Sequence, residues 1–218
     1  MDDEGLKPVI VNASLDESSL AKFWDVLKTY QGVIGYSIDD IKGISPSIAM
    51  HRITLDDESA SSIEPQRKVN PTMKEVVKKE IDKLKAAGII YTIPYSAWVS
   101  PVHVVPKKGG MTIVKGDDGK EVPMRTVTGW RMCIDYRKLN KATRKDHFPL
   151  PFIDEMLERL VRHTHYCFLD GYSGFFQIPI HPDDQGKTTF TCPYGTYAYR
   201  STNVGKMYVY HFFRHVGK

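Results

Sequence analysis

The sequence predicts an α+β fold, because helical and extended patterns occupy separate stretches of the chain. Apolar residues recur at helical spacing in three stretches, at 14–31, 70–88 and 151–161. Short apolar or β-branched segments predict strands at 89–93, 99–106, 166–170 and 176–180. The 218 residues are 41% apolar and 26% charged, an ordinary globular composition that allows one domain or two small ones.

The first helical stretch is predicted to begin at a capping box formed by Ser14 and Glu17 and to end at Gly32. Its apolar stripe consists of Leu20, Phe23, Trp24 and Leu27. Such a stripe is more typical of a docking face or a small core than of a cofactor site.

Residues 54–66 are acidic and rich in serine, which predicts a linker and a domain boundary. Residues 1–60 carry 11 acidic and 5 basic side chains, whereas residues 61–218 carry 15 acidic and 25 basic ones. A basic excess confined to one part of the chain suits a phosphate-binding surface. A soluble domain with a basic surface and no nucleic-acid partner would have the same charge.

The second helical stretch has Asn70 as its cap and ends at Gly88. Further along, the alternation of side chains predicts a hairpin between Met111–Val114 and Glu121–Met124. A second hairpin is predicted about residues 193–195, where Pro-Tyr-Gly separates two extended segments.

The apolar run Tyr166–Leu169 predicts a buried strand that ends on Asp170 and turns on Gly171 and Gly174. Such a strand fixes one carboxylate at the floor of a cleft. Polymerases hold a magnesium ion in this way, with hard oxygen ligands that clamp the reacting phosphate. This segment alone is equally consistent with Asp170 as the cap of a helix that begins at Gly171.

The stretch Trp130–Asn140 begins as an alternating strand. Basic side chains cluster around it, namely Arg131, Arg137, Lys138, Lys107 and Lys108. Because the planar guanidinium group matches phosphate oxygens, the cluster is a candidate clamp for a triphosphate or a nucleic-acid backbone. The alternative for this stretch is a solvated charged strand in which Arg137 pairs with Asp135.

Four consecutive segments together resemble the motifs of a reverse transcriptase, and they are most similar to the pol polyprotein of gypsy-like LTR retrotransposons. The segments are Trp130–Asn140, His147–Asp154, Phe168–Ile178 and Thr189–Arg200. The similarity runs from about residue 65 to residue 200. The stretches Ile41–Pro46 and Met50–Ile53 also resemble the segment that precedes the polymerase in such polyproteins.

The resemblance implies a partial right-hand polymerase that carries out magnesium-dependent, RNA-directed DNA polymerisation on an RNA or DNA primer–template with deoxynucleoside triphosphates. It divides the chain into a pre-polymerase region, a fingers-like region, a partial palm and a divergent tail, at 1–66, 67–150, 151–200 and 201–218. It also implies site residues: Asp170 as catalytic metal ligand with the Gly171 carbonyl, Lys108, Arg131 and Phe175 for the nucleotide, and Lys107, Arg137 and Gln177 for nucleic acid.

The family's second catalytic motif, an aromatic residue, any residue and two aspartates, is not found in these 218 residues. Asp-Asp pairs occur at 2–3, 39–40, 56–57, 117–118 and 183–184, and none has an aromatic residue two positions before it. The chain is therefore expected to be catalytically incomplete by itself, with polyprotein segments missing. The alternatives are a non-catalytic nucleic-acid-binding remnant and a protein-interaction role for the helix at 14–31.

Three cysteines, far apart and odd in number, fit neither a disulfide framework nor a zinc spacing. This pattern predicts a reducing, intracellular compartment, either cytoplasmic or nuclear. The acidic start Met1–Glu4 lacks the apolar core of a secretory signal, and no apolar run is long enough to span a membrane. No membrane partner is expected.

Overall fold

The computed structural model describes residues 9–115, 121–145, 147, 152–161 and 171–202, with the backbone alone for residues 108, 110–115 and 121–127. Asp170 and the strand predicted at 166–170 lie outside the described residues. The described residues form both helices and strands, and the longest ladder, β3 with β4, is antiparallel, which confirms the predicted α+β class.

The described helices are α1 (Glu17–Thr29), α2 (Pro71–Ala86), α3 (Arg137–Ala142), α4 (Ile153–Val161) and α5 (Pro182–Gln185). The described strands are β1 (Ser62–Ile63), β2 (Ile90–Thr92), β3 (Trp98–Lys115), β4 (Glu121–Ile134), β5 (Phe190–Cys192) and β6 (Gly195–Tyr199). Short 3-10 turns lie at Gln31–Val33, Ile38–Asp40, Gly174–Gln177 and Gly186–Thr188.

Within the described residues, six strands form one sheet in the order β1-β3-β5-β6-β2, with β4 paired to β3. The β3–β4 ladder runs from Val102 opposite Ile134 to Lys115 opposite Glu121, which confirms the first predicted hairpin. The predicted hairpin about residues 193–195 is confirmed by the antiparallel pair β5–β6. The long β3 strand therefore joins the compact sheet at one end and extends as a two-stranded ribbon at the other.

Helix α2 has the boundaries that its capping signals predict. The Asn70 side chain accepts a hydrogen bond from the Thr72 amide (3.1 Å), and Gly88 has a φ of +67° just past the end of the helix. The helix buries Val77, Ile81 and Leu84 in the core, and each such side chain contributes about 1.5–3 kcal/mol when fully buried. This face anchors α2 to the core of the sheet.

The capping box predicted at Ser14 and Glu17 is wrong. Helix α1 begins at Glu17 with Asp16 as its cap, and the Asp16 carboxylate accepts a hydrogen bond from the Ser19 amide (3.1 Å). The Ser14 hydroxyl instead donates to the side chain of Asn12 (2.9 Å). A carboxylate is a stronger cap here because its negative charge also interacts favourably with the helix N-terminus.

The acidic segment at 54–66 does not behave as a free linker. The chain alternates before and into it, with His51, Ile53 and Leu55 buried and the intervening residues exposed. Strand β1, at Ser62–Ile63, then pairs in parallel with β3. This alternation of buried and exposed residues was not recognised from the sequence, because it runs directly into the acidic residues at 56–58. The division of the chain into domains at residue 66 stays a prediction.

The strand predicted at 176–180 is wrong. Residues Gly174–Gln177 form a 3-10 turn, and the strand-like contacts that follow are single bridges, Pro179 with Ser201 and Ile180 with His51. The segment is held between two other parts of the chain, so tertiary contacts override its β-propensity.

Helix α4 lies at the predicted position, but its apolar side chains are exposed. They are Phe152, Ile153, Met156, Leu157, Leu160 and Val161, and each has between 45% and 80% of its surface accessible. Among the described residues, no helix combines the length and the apolar character that a membrane crossing requires.

Candidate nucleic-acid interface

A buried carboxylate at the base of the β3–β4 ribbon holds two arginines. The Asp135 amide donates to the Pro101 carbonyl (3.0 Å), which fixes the residue at the end of β4. Arg137 donates from Nε to Oδ1 (2.7 Å) and from Nη2 to Oδ2 (2.6 Å), and Arg67 donates from Nη2 to Oδ2 (2.9 Å). One carboxylate therefore orients two guanidinium groups that come from distant parts of the sequence.

The exposure of the three side chains differs sharply. The Asp135 side chain is 6% exposed, whereas those of Arg67 and Arg137 are 53% and 79% exposed. The hydrogen bonds from Arg137, together with the charge of Arg67, hold the pKa of Asp135 at about 2, against the opposing effect of burial. The same bonds raise the pKa of Arg137. Asp135, Arg67 and Arg137 together form the Asp135 trio, which carries one net positive charge. Its guanidinium groups retain donors that point away from the carboxylate.

An open cleft of about 620 Å³ lies against this trio. Its lining combines the arginines with polar and sulfur-bearing side chains of the ribbon and α3, namely His103, Met132, Cys133, Tyr136 and Asn140. His103 lies opposite Cys133 in the β3–β4 ladder. The buried Nδ1 atom of His103 has no hydrogen-bond partner among the described residues. Burial raises the pKa of the Cys133 thiol, so this side chain is present as the neutral thiol.

Helix α3 is fixed to the sheet below the cleft by a buried hydrogen bond. The Tyr136 hydroxyl donates to the Thr188 carbonyl (2.6 Å), which connects the start of α3 to the 3-10 turn before β5. Lys138 pairs with Glu64 (3.4 Å) on the other side of the helix start. These contacts position Arg137 and Asn140 on one wall of the cleft.

The remaining predicted basic residues lie farther along the ribbon. Arg131 is exposed and pairs in register with Val105, and Lys107 is exposed opposite Gly129. The side chain of Lys108 lies outside the described atoms, although its backbone pairs with Val127 in β4. The basic cluster is thus spread along the ribbon from its middle to the Asp135 trio at its base.

Two of the predicted site residues, Phe175 for the nucleotide and Gln177 for nucleic acid, lie on the turn that follows Gly171. Phe175 is 43% exposed within the Gly174–Gln177 turn, and Ser173 before it has a φ of +43°. The Gln177 side chain donates to the Tyr172 carbonyl (2.9 Å) and so closes the turn on itself. The Gln177 amide group is therefore engaged within the protein.

The described residues do not supply a magnesium site. They contain no group of three or more His, Cys, Asp or Glu side chains that could hold a metal ion. Asp170, the predicted ligand, lies outside the described residues, and Gly171 offers only a backbone carbonyl. A single carboxylate with one carbonyl does not fix the two ions that nucleotidyl transfer uses, which are about 3.5–4 Å apart.

Two residues of the cleft were not anticipated from the sequence. Arg67 lies just before the cap of α2, and only the fold brings it to Asp135. His103 lies in a run of alternating apolar residues, where nothing local distinguishes it from a core histidine. The pairing of Arg137 with Asp135, considered as the alternative to phosphate binding, is present. Pairing and phosphate binding are compatible here because the guanidinium group stays mostly exposed.

Comparison with known proteins places the chain in a family. The family model described as "Reverse transcriptase (RNA-dependent DNA polymerase)" matches residues 105–214, half of the chain, and extends past residue 200, where the resemblance was expected to end. An RNA-directed DNA polymerase homolog of Oenothera berteroana is 43% identical over 70 residues, 32% of this chain and 49% of that protein. The Pol polyprotein of transposon gypsy from Drosophila melanogaster is 34% identical over 149 residues, 67% of this chain and 13% of that protein.

Solved structures give the same fold. The native prototype foamy virus protease–reverse transcriptase is similar with a TM-score of 0.68 and 22% identity, over 93% of this chain and 26% of that one. The foamy viral enzyme in complex with an RNA/DNA hybrid is similar with a TM-score of 0.63 and 21% identity, over 88% of this chain and 23% of that one. The chain thus spans a minor part of these proteins. The fold and the family match together show that the chain belongs to the reverse transcriptase (RNA-dependent DNA polymerase) family.

Proposed function

We propose that this chain forms the nucleic-acid-binding fingers and part of the palm of a retrotransposon reverse transcriptase, and that its cleft binds the phosphate backbone of a primer–template. The observation that carries the proposal is the Asp135 trio. Two exposed guanidinium groups, oriented by one buried carboxylate, face an open cleft. Arginine forks of this kind bind phosphate oxygens with directional hydrogen bonds.

Two further features favour a surface that binds a phosphate backbone over a surface that is charged but binds no nucleic acid. Arg131 and Lys107 extend the positive charge along the exposed ribbon, as a bound strand would require. The side chain of Asn140 adds an uncharged polar group to the same cleft. Several of the structural neighbours are complexes with an RNA/DNA hybrid or double-stranded DNA.

In the intact protein, the chemistry would be RNA-directed DNA polymerisation. By the resemblance, Phe175 would exclude a ribose 2′ hydroxyl, and Arg131 and Lys108 would bind the triphosphate of a deoxynucleotide. Magnesium would supply charge neutralisation for the reacting phosphates, with Asp170 as a ligand. The 218 residues contain only this one matching carboxylate, so we expect the chain by itself to bind nucleic acid without extending a primer. We expect it to act in a reducing compartment, cytoplasmic or nuclear.

Salt-dependent binding tests the proposal directly. We expect the chain to bind a labelled RNA/DNA primer–template with little sequence preference and with an affinity that falls steeply as salt rises. Arg137→Gln and Arg67→Gln should each weaken binding and flatten the log–log salt slope by about 0.7–0.9 for each phosphate that the variant no longer binds.

The matched control is Arg200→Gln, which removes the same charge at the end of β6. There the guanidinium group lies over the Tyr91 ring (5.3 Å), and Arg200 is not among the cleft residues. If all three variants change the slope equally, the chain binds through its overall charge, and the cleft has no special role. Primer extension with magnesium separates the catalytic alternatives: extension abolished by Asp170→Ala would contradict the expected incompleteness.

A further inference from the structure

The turn that carries Phe175 is held on one side by residues 35–51, which precede the polymerase motifs in the sequence. The Ile44 amide donates to the Gln177 carbonyl (2.8 Å), and the His51 amide donates to the Pro179 carbonyl (2.8 Å). The His181 amide in turn donates to the His51 carbonyl (2.8 Å). The early segment therefore runs beside residues 177–181 as a short parallel bridge.

The other side of the same turn is held by the end of β6. The Thr202 amide donates to the Ile178 carbonyl (2.9 Å), and the Ile180 amide donates to the Arg200 carbonyl (2.8 Å). The Thr202 hydroxyl, which is fully buried, donates to the Phe175 carbonyl. The backbone of the turn is thus fixed between two segments, one from each side.

Two glycines of the early segment lie where it contacts the turn. A Cβ atom at Gly35 would lie 3.5 Å from the Tyr172 ring and 3.4 Å from the Asp40 Cβ. The Asp40 carboxylate accepts from the amides of Tyr36 (2.8 Å) and Ser37 (2.9 Å), which fixes this loop against Tyr172. Gly43 has a φ of +72°, and this left-handed residue aims the Ile44 amide at Gln177.

We infer that residues 35–51 are a positioning element of the nucleotide site: they hold the turn Tyr172–Ile180 in the conformation that presents Phe175 to the sugar of the incoming nucleotide. The inference rests on the proposed function for the role of Phe175. Discrimination between a deoxyribose and a ribose depends on where one ring edge lies, so a loosened turn loses selectivity before it loses binding. The segment before the polymerase is then part of substrate choice.

The test uses two glycines with the same strained backbone. Gly43→Ala places a Cβ on a left-handed residue beside the turn, where it would lie 3.8 Å from the Gln177 carbonyl oxygen. Gly88→Ala is the matched control, because its φ is +67° and a Cβ there would have nothing within 4 Å. Both variants carry the same backbone strain, but only the first acts on the turn.

Hydrogen exchange measures the hold on the turn directly. In Gly43→Ala we expect the amides of Ile44, Phe176 and Ile180 to exchange about fivefold faster or more, and in Gly88→Ala we expect no selective change there. Unchanged exchange at these amides in Gly43→Ala would overturn the inference. This measurement needs no nucleotide, so it is independent of the proposed function.

Nucleotide selectivity measures the consequence. The probes are 2-aminopurine deoxyribonucleoside triphosphate and its ribonucleoside counterpart, titrated by fluorescence into the chain bound to a primer–template. We expect Gly43→Ala to lower the ratio of the two affinities by about threefold or more and Gly88→Ala to leave the ratio unchanged. If the turn exchanges faster in Gly43→Ala but the ratio of the two affinities is unchanged, residues 35–51 support the structure without contributing to selectivity, which contradicts the inference. If the unaltered chain shows no preference between the probes, the proposed role of Phe175 fails, and the selectivity part of the inference fails with it.

Discussion

Two buried aspartates, Asp135 and Asp184, each form ion pairs with two cationic side chains. The exposure of the closest cations differs between the two sites, and this difference distinguishes a binding surface from a structural cluster. At Asp135 the partners are arginines whose side chains are 53% and 79% exposed. At Asp184 the main partner is Lys187 (2.9 Å), whose side chain is only 17% exposed, with Arg52 farther away (3.4 Å). The first arrangement faces an open cleft, whereas in the second the closer cation, Lys187, is largely buried and only Arg52 is exposed (55%).

The Lys187 ammonium has no donor left for a ligand. It donates to the Asp184 carboxylate, to the Glu58 carboxylate (3.2 Å) and to the Ile53 carbonyl (2.8 Å). The Ile53 amide in turn donates to Asp184 (3.0 Å). This cluster ties the segment around residue 53 to the turn before β5. The closest cation at Asp184 thus uses all its donors within the protein, whereas the two arginines at Asp135 keep donors that a ligand could accept from.

The largest expected effect is on stability at the closed cluster. Asp184→Asn leaves Lys187 with a weakened partner in a mostly buried position, so the free energy of unfolding should fall by about 3 kcal/mol. Urea denaturation followed by fluorescence measures it. The neighbouring Asp183→Asn is the control, because Asp183 is 75% exposed and pairs at 3.6 Å with Arg52, and it should cost less than about 1 kcal/mol. Equal losses at the two positions would show that the cluster is not a clamp.

The pH dependence of stability sharpens the comparison. The folded-state pKa of Asp135 is about 2, below its ordinary value of 3.8, and that of Asp184 is also lowered. A lowered pKa contributes stability that is present above the ordinary value and is lost as the pH falls through the folded value, between about pH 4 and pH 2. The loss over this window should be smaller in Asp135→Asn than in the unaltered chain. An identical acid profile would mean that the arginines do not stabilise the Asp135 carboxylate.

Much of the fold could be predicted from the sequence because it follows from local signals. The caps at Asn70 and Gly88, the two hairpins and the alternation in β4 all depend on residues that are near each other in the chain. The errors lie where distant contacts decide the structure. Residues 51–55 alternate in burial between two partner segments, one around residue 180 and one around residue 143. The stretch at 176–180 is held by contacts on both sides instead of forming a strand.

In the site, too, local signals could be predicted and distant contacts could not. The basic residues of the ribbon and the pair Asp135–Arg137 could be predicted, because they are close together in the sequence. Arg67 could not, because its approach to Asp135 depends on how α2 packs on the sheet. His103 could not be told from a core residue, because only the fold places it in the lining of the cleft. Long-range geometry decides which of the charges act together.

The most direct test of the central claim, that Asp135 organises a phosphate-binding pair of arginines, is the affinity of Asp135→Asn for the RNA/DNA primer–template. This variant removes a negative charge beside the cleft, so binding governed by charge alone would become tighter. Our account predicts the opposite, a loss of about threefold in affinity, because Asn offers one uncharged acceptor oxygen in place of the two carboxylate oxygens that order Arg67 and Arg137 before binding. Circular dichroism should confirm that the variant is folded. Equal or tighter binding by a folded Asp135→Asn would contradict the account.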